Sequence, residues 1–323
     1  MTDAEGWAEV QRRAAQVAWQ WSTDLGWRLS PLNIAAMVAL CLVIYAVRRP
    51  AGSFLAWLMP ARIYRHPSFR LDLKIWLLNG VIGLFVVVNT GAVATAAAAG
   101  LGALIGVGVP MAGHAQPVLA ALVVFLVADF LTYWVHRLSH DLPWLWPVHA
   151  LHHSAEELNP ITAFRHHPLY SVTTTLIVGT GVGVAQGAML VLLTGSLDVA
   201  LLAGVNLFYA LFNLFASNLR HSHIWLRYPR AVEHILISPA QHQCHHSVDP
   251  RHHNRNYAEV LALWDWMFGT LYLTAADETI RFGLGDARGH PLPQPHPTLA
   301  RALTVPLGDA GRALRGSRPQ EKD

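Results

Sequence analysis

Histidines with the spacing of metal ligands are concentrated in the middle of this chain. Fifteen of its nineteen histidines lie between residues 136 and 253. Three motifs in that segment, YWVHRLSH, VHALHH and HQCHH, repeat histidine at intervals of three or four residues, which places the imidazoles on one face of a helix. Neutral imidazole is a good ligand for iron, zinc or copper. The motifs therefore predict a metal centre with the ligands His136, His140, His149, His152, His153, His242, His245 and His246.

The donor set, which is almost wholly imidazole, limits the kinds of metal site and reaction that such a centre can support. Structural zinc usually takes four ligands and often cysteine, whereas eight histidines are enough for two ions. Two adjacent ions with open positions can activate dioxygen or water. The HExxH motif of zinc peptidases, with its glutamate base, is absent from the sequence.

The composition is that of a membrane protein. Of the residues, 53% are hydrophobic and only 13% are charged, against about a quarter in soluble domains. The net charge of +3 comes from arginines near the ends of apolar stretches, which does not indicate a nucleic-acid partner. The two cysteines, Cys41 and Cys244, are too far apart in the chain to suggest a disulfide framework. The first thirty residues contain no apolar core of a cleavable signal peptide.

Apolar stretches that can cross a membrane alternate with the histidine motifs. Four or five spans are expected, because residues 75–109 can be one long span or one span and a re-entrant piece. The amphipathic segment 1–30, with its tryptophans, is suited either to the membrane interface or to packing as a surface helix. Arginine-rich loops lie on the side of the motifs, which predicts that the motifs are cytoplasmic. The expected spans are 31–47, 75–109, 118–135, 171–194 and 197–217, and the tail 274–323 is expected to be loosely ordered or to lie on the cytoplasmic side.

The order of the motifs resembles the fatty acid hydroxylase superfamily, also called the sterol desaturase family. The resemblance covers residues 118–273, about half the chain, with DFLTYWVHRLSH, VHALHHSAEELNPITAFRHHP, NLRHSH, ISPAQHQCHH and NRNYAEVLALWDWMFGTLY in the family's order. It implies an all-α, polytopic membrane bundle of four to five spans with a cytosolic, histidine-rich cap that holds a dinuclear metal site. The implied hydroxylase domain is 31–273, with its motifs between residues 129 and 257.

The resemblance also extends the set of site residues. His221 in NLRHSH matches a family histidine and becomes a ninth expected ligand. His167, Asn218 and His223 form a second group of candidates for the metal. The family usually has asparagine where this chain has His223, so this residue is expected either to bind metal or to donate a hydrogen bond.

Polar residues around the motifs are expected to support the ligands. Asp129 lies seven residues before His136 on the same helix face, where it could orient a ligand imidazole or pair with an arginine such as Arg165. Asn159 and Arg165 could orient ligands or the cap. The histidines expected to be solvated are His66, His114, His252, His253, His290 and His296.

The resemblance implies an oxygenase that hydroxylates an unactivated C–H bond of a lipid, with two iron ions and dioxygen. Electrons would come from a separate carrier such as a ferredoxin-like protein, and a bacterial inner membrane is the expected location. A lipid or sterol desaturase with the same site is the alternative. A histidine-rich metal-binding or metal-transporting membrane protein and a zinc hydrolase with Glu156 or Glu157 as base are further alternatives.

Overall fold

The fold was analysed in a computed structural model of the chain. The structure describes residues 28–85, 90–104, 117–194, 207–215, 217–276 and 278–316. The amphipathic segment predicted at residues 1–30 and the hairpin tip predicted near Gly195 lie almost wholly outside these ranges.

The regular secondary structure of the described residues is helical, apart from two isolated β-bridges. This confirms the all-α class. In chain order the helices are α1 Pro31–Arg48, α2 Phe54–Leu58, α3 Ala61–Tyr64, α4 Pro67–Phe85, α5 Thr90–Leu104, α6 Pro117–Asp141, α7 Trp146–His153, α8 Pro168–Thr194, α9 Leu207–Phe215, α10 Arg230–Glu233, α11 Pro239–His245, α12 Leu263–Met267 and α13 Leu299–Leu314. Short 3-10 helices cover Pro160–Phe164, Ser217–Leu219 and Pro250–His252.

Three stretches of helix in the described residues are long and apolar enough to cross a membrane. They are α1, the Leu122–Asp141 part of α6 and the Pro168–Ala185 part of α8; a shorter apolar helix covers Ala92–Leu104. The expected stretch 75–109 contains two helices, α4 and α5, rather than one continuous helix.

The membrane-type helices pack through small residues. Gly183 and Gly187, one turn apart on α8, face Ala94 and Ala98 of α5, and a Cβ on Gly187 would lie 3.2 Å from the Cα of Ala98. Small residues four apart let two helix backbones approach closely in a membrane, where packing replaces the hydrophobic effect as the main attraction. The other face of α8 packs on α6, with Val135, Val178 and Val182 in one buried cluster.

A cap of short helices and loops (residues 142–167 and 217–276) adjoins the ends of α6 and α8 and carries most of the histidine motifs. The tail adds to it, because α13 packs along α7: Ala302 is buried against Leu71, Ile75 and Leu151. The part of the tail that the structure describes is therefore ordered around this helix.

Candidate metal centre

The nine histidines expected as ligands lie together in two adjacent groups. Within each group, one side-chain nitrogen per residue falls within 4.8 Å of all the others. The first group, called site A, is His136, His140, His149, His153 and His245; the second, site B, is His152, His221, His242 and His246. The groups touch, since the rings of His153 and His246 stack with their centroids 4.5 Å apart.

Each of the two HxxHH motifs supplies both groups. On α7, His149 and His153 are one helical turn apart and face site A, while His152 faces site B. At α11 the assignment is reversed: His242 and His246 face site B, and His245 faces site A. Residues four apart share a helix face, whereas adjacent residues are about 100° apart, so one short helix reaches two sites.

Local sequence signals fix the start of helix α11. Ser238 and Gln241 form a capping box, in which the Ser238 side chain accepts a bond from the Gln241 backbone N–H and the Gln241 side chain accepts one from the backbone N–H of Ser238. Pro239 occupies the first turn, where its missing N–H leaves no helical bond unmade. This cap fixes the residue at which α11 begins, and therefore the helix face on which His242 lies.

The nitrogens of site B have the spacing of ligands that share an ion. The Nε2 atoms of His152 and His221 are 3.2 Å apart, those of His221 and His242 are 3.1 Å apart, and those of His242 and His246 are 3.2 Å apart. Nitrogens bound at about 2.1 Å to one ion lie about 3.0–3.4 Å from each other. These three distances are therefore those of imidazoles that bind one metal ion.

Two imidazoles of site A are oriented by backbone carbonyls. The Nδ1 atoms of His136 and His245 lie 2.7 Å from the carbonyl oxygens of Tyr257 and Arg255. A carbonyl can only accept, so each Nδ1 carries the proton and each Nε2 keeps its lone pair for a metal. Both Nε2 atoms are buried with no hydrogen-bond partner among the described residues, as is that of His140.

Burial keeps the cap imidazoles neutral. Eight of the nine histidines are buried, and His140 is partly exposed. Desolvation is the largest cause that holds the pKa of seven of them well below the usual range, and neighbouring imidazoles or arginines lower it further. Neutral imidazole is the form that binds metal. The seven are His149, His152, His153, His221, His242, His245 and His246.

A buried ion pair fastens the end of helix α7. Arg165 and Asp72 are fully buried, with Nη1 2.9 Å from Oδ1. Arg165 also donates to the carbonyl of Leu151 at 2.9 Å and to the Ser154 hydroxyl at 2.9 Å, one on each side of the ligands His152 and His153. Asn159 donates to Asp72 at 2.8 Å. Arg165 and Asn159 thus hold the ligand helix through its backbone, and Asp72 is a partner that sequence reasoning missed.

Asp129 is bonded to the loop that follows Tyr257. Its carboxylate accepts hydrogen bonds from the backbone N–H groups of Val260 and Leu261 and from the indole of Trp264, at 3.0–3.1 Å. Arg165, the expected partner, pairs with Asp72 instead. Asp129 therefore anchors the loop that follows Tyr257, rather than forming the expected ion pair.

The second group of candidate ligands lies outside sites A and B. His167 donates to the carbonyl of Leu303 at 3.1 Å and accepts from the N–H of Leu169, so both of its ring nitrogens are engaged. His223 donates to the carbonyl of Trp57 at 2.8 Å. Asn218 donates to the carbonyl of Arg28 at 2.8 Å. His166, in contrast, stacks on the ring of His152 with centroids 4.5 Å apart.

Two histidines that were expected to be solvated are buried. His252 has 1% of its surface exposed and His296 has 3%. His296 lies 3.0 Å from the hydroxyl of Ser154, beside the end of α7, because the tail folds back onto the cap. The prediction of solvent exposure was wrong for these two residues, since nothing local in the sequence indicates that the tail covers them.

A cavity of about 260 Å³ opens onto site A. It is bounded by the ligands His140, His153 and His245 together with Trp146 and Leu292. Site B contributes no residue to this cavity, so a molecule in the cavity contacts site A and not site B.

Comparisons with known proteins agree with this geometry. Residues 121–270 match the family model named fatty acid hydroxylase. Human alkylglycerol monooxygenase is 30% identical over 160 residues, which are 50% of this chain and 32% of that protein. An ornithine lipid hydroxylase of Rhizobium tropici is 32% identical over 148 residues, 46% of this chain and 40% of the relative.

A third relative carries the name of a desaturase. It is a candidate Delta(7)-sterol-C5(6)-desaturase of Arabidopsis thaliana, 26% identical over 165 residues, which are 49% of this chain and 50% of that protein. The chain thus matches about a third to a half of the length of these curated relatives. No solved structure matches it significantly.

Proposed function

We propose that this chain, whose residues 121–270 match the fatty acid hydroxylase family model, is an integral membrane oxygenase that hydroxylates a lipid with dioxygen and external electrons. The observation that carries the proposal is the pair of touching, all-imidazole sites at the ends of membrane-type helices. Hydroxylation replaces one C–H bond by C–O–H, and the second oxygen atom leaves as water after two electrons and two protons are taken up.

Two iron ions are the proposed occupants, with five histidines at site A and four at site B as their ligands. Iron bound there would supply the activation of dioxygen and the removal of hydrogen from an unactivated C–H bond. Imidazole is a suitable ligand for iron, as it is for zinc and copper, and the similarity to fatty acid hydroxylases supports iron. The cavity beside Trp146 gives site A the open side that a reacting molecule needs.

The chain's own residues hold and shield the ions. The carbonyls of Tyr257 and Arg255 fix the tautomers of His136 and His245. Arg165 and Asp72 fix the end of α7. The site B histidines are buried and contribute no residue to the cavity, so a molecule that enters through the cavity would meet site A.

The proposed substrate is a lipid that reaches the site from the membrane. Helices α6 and α8 end at the histidine cap, so a lipid lying beside them can bring a C–H bond to site A while its chain stays in hydrocarbon. We place the cap on the cytoplasmic side of a bacterial inner membrane, because the arginines after α1 lie on the cap side. Electrons then come from a separate cytoplasmic carrier, such as a ferredoxin-like protein.

Mass spectrometry of total lipids tests the proposal. Cells with the intact protein are compared with cells carrying His245→Ala, and His290→Ala serves as the matched control because His290 is exposed and outside both sites. A lipid that gains one oxygen atom with the intact and control proteins, but not with His245→Ala, is the expected result. Identical lipid profiles in all three, with an electron donor present, would contradict the proposal.

A desaturase is the second candidate, favoured by the similarity to the Arabidopsis protein. The same experiment distinguishes a desaturase from a hydroxylase, because a desaturated lipid loses two hydrogens and gains no oxygen. The hydrolase alternative has less support, since Glu156 is exposed, Glu157 pairs with Arg62 at 3.3 Å, and neither carboxylate belongs to site A or site B.

A further inference from the structure

A third cluster of metal-binding side chains lies apart from the nine histidines. The Cys244 Sγ, a ring nitrogen of His252 and a carboxylate oxygen of Glu278 all fall within 4.8 Å of one another. Cys244 is on α11 between the ligands His242 and His245, but its thiol points to Glu278, with Sγ 3.0 Å from Oε2. Nε2 of His252 is 3.5 Å from the same oxygen.

His252 is the observation that separates this cluster from an ordinary hydrogen-bonded core. Its side chain is almost fully buried, yet neither ring nitrogen has a hydrogen-bond partner among the described residues. Buried polar groups in proteins are nearly always hydrogen-bonded, and an unpaired one marks a place where a water or an ion can bind. The ring lies against Tyr272, with centroids 4.8 Å apart, which limits its rotation away from Glu278.

Two hydrogen bonds orient the carboxylate of Glu278 so that one of its oxygens can bind a metal. Its Oε1 atom accepts hydrogen bonds from the hydroxyl of Tyr272 at 2.7 Å and from the N–H of Ala275 at 2.9 Å. These two donors leave Oε2 directed at Cys244 and His252. Ligating carboxylates are commonly oriented in this way by hydrogen bonds to the oxygen that does not bind the metal.

We propose that Cys244, His252 and Glu278 form a third metal site, distinct from the iron centre, that binds a zinc-like divalent cation. A thiolate, an imidazole and a carboxylate are the usual zinc donors. Binding replaces the thiol S–H by a sulfur–metal bond and releases the proton, so the thiolate and the carboxylate balance the two charges of the ion. Tetrahedral zinc holds such atoms about 3.3–3.7 Å apart, and the cluster reaches this with shifts of about 1 Å.

The site's position gives the ion a structural role. It joins α11 to the segment after residue 277, which already pairs with the cap through the N–H of Val248 and the carbonyl of Arg281 at 2.9 Å. A cavity of about 460 Å³ reaches Glu278, and a water from that side would be the fourth ligand. The ion would fasten the tail to the helix that carries the ligands of both histidine sites.

X-ray absorption at the zinc edge, on the purified full chain with one equivalent of added zinc, tests the site. Sites A and B contain no sulfur, so zinc bound there shows only light-atom ligands, whereas the proposed site shows a sulfur at about 2.3 Å. Cys41→Ala is the matched control, because it removes the other cysteine, which lies in α1. The sulfur signal is expected in the natural chain and in Cys41→Ala, and is expected to be lost in Cys244→Ser.

Two further variants keep the test decisive if Cys244→Ser does not fold. His252→Ala and the isosteric Glu278→Gln keep the thiol and are expected to weaken zinc binding at least tenfold in a competition titration. A natural chain without the sulfur signal would overturn the proposal. So would a sulfur signal that survives with undiminished affinity in both variants, because it would report a lone thiol rather than a three-ligand site.

Discussion

His136 and Tyr257 are joined by a hydrogen bond from the imidazole Nδ1 to the backbone carbonyl, 2.7 Å long, across 121 residues of sequence. The bond joins the end of helix α6 to the loop that contains Tyr257 and fixes the ring so that Nε2 faces site A. Asp129, two turns earlier on α6, anchors the same loop through the N–H groups of Val260 and Leu261. One helix thus carries both a proposed ligand and the group that positions its backbone partner.

Removal of one ligand of site B should lower the metal content without emptying site A. In His221→Ala, site B keeps three imidazoles, and we expect the bound iron to fall by about one ion per chain, as measured by elemental mass spectrometry of the purified protein. His290→Ala, an exposed histidine, should leave the content unchanged. Equal iron in His221→Ala and the natural chain would show that His221 is not a ligand.

Loss of one partner of the buried Asp72–Arg165 pair should strongly destabilise the cap. Asp72→Ala leaves a guanidinium buried without its counter-ion, which typically costs about 3–5 kcal/mol. The apparent melting temperature in detergent should fall, and the His152 and His153 end of α7 should lose order. Arg62→Ala removes the exposed pair with Glu157 and should cost less than about 1 kcal/mol. A similar effect of both substitutions would contradict this assignment.

The close contact of α5 and α8 should not tolerate a methyl group at Gly183. A Cβ there would overlap the backbone carbonyl of Ala94, which cannot move aside as a side chain can. Gly183→Ala should therefore destabilise the protein by about 1–3 kcal/mol. Gly80→Ala meets nothing within 4 Å and should be neutral or slightly stabilising. Thermal unfolding of the two variants in the same detergent measures the difference, and an unchanged Gly183→Ala protein would disprove the contact.

The docking of the tail should weaken on acidification. Burial, and then the nearby Arg165, lower the pKa of His296 to about 4. The undocked histidine takes up a proton below about pH 6.5, but the docked one does not until about pH 4, so docking is most stable above pH 6.5 and is lost progressively across this window. The protection of α13 amides against hydrogen–deuterium exchange, after correction for the intrinsic pH dependence of amide exchange, should fall as the pH falls from 6.5 to 4.

A matched variant isolates this effect from the other histidines. His296→Gln keeps a polar side chain beside Ser154 but cannot titrate, so the corrected protection of α13 should depend less on pH in this variant. The same pH dependence with and without His296 would assign the effect to another group.

The sequence predicted the composition of the histidine cluster, but not its division. The motif spacing identifies eight of the nine residues that the structure brings together, and the family resemblance adds the ninth, His221. It does not show that His152 and His153, neighbours in the chain, serve different sites, because that depends on how α7 is rotated against α11. The helical class followed from the uncharged apolar stretches. In a membrane the backbone N–H and C=O groups of such a stretch must bond to each other, and a helix satisfies all of them within one segment.

Features that depend on long-range packing left no local signal. The carbonyls of Tyr257 and Arg255 are backbone atoms, which any residue type supplies. Asp72 lies 93 positions from its partner Arg165, in a helix that no motif marks. The burial of His296 arises only because α13 folds back onto α7.

Growth of cells under isotopically heavy dioxygen, followed by mass spectrometry of their lipids, distinguishes an oxygenase from a hydrolase. We expect a hydroxylated lipid whose new oxygen atom comes from dioxygen, present with the natural chain and absent with His245→Ala. A new hydroxyl whose oxygen comes from water, or an unchanged product formed without dioxygen, would contradict an oxygenase and would favour hydrolytic chemistry at a zinc site.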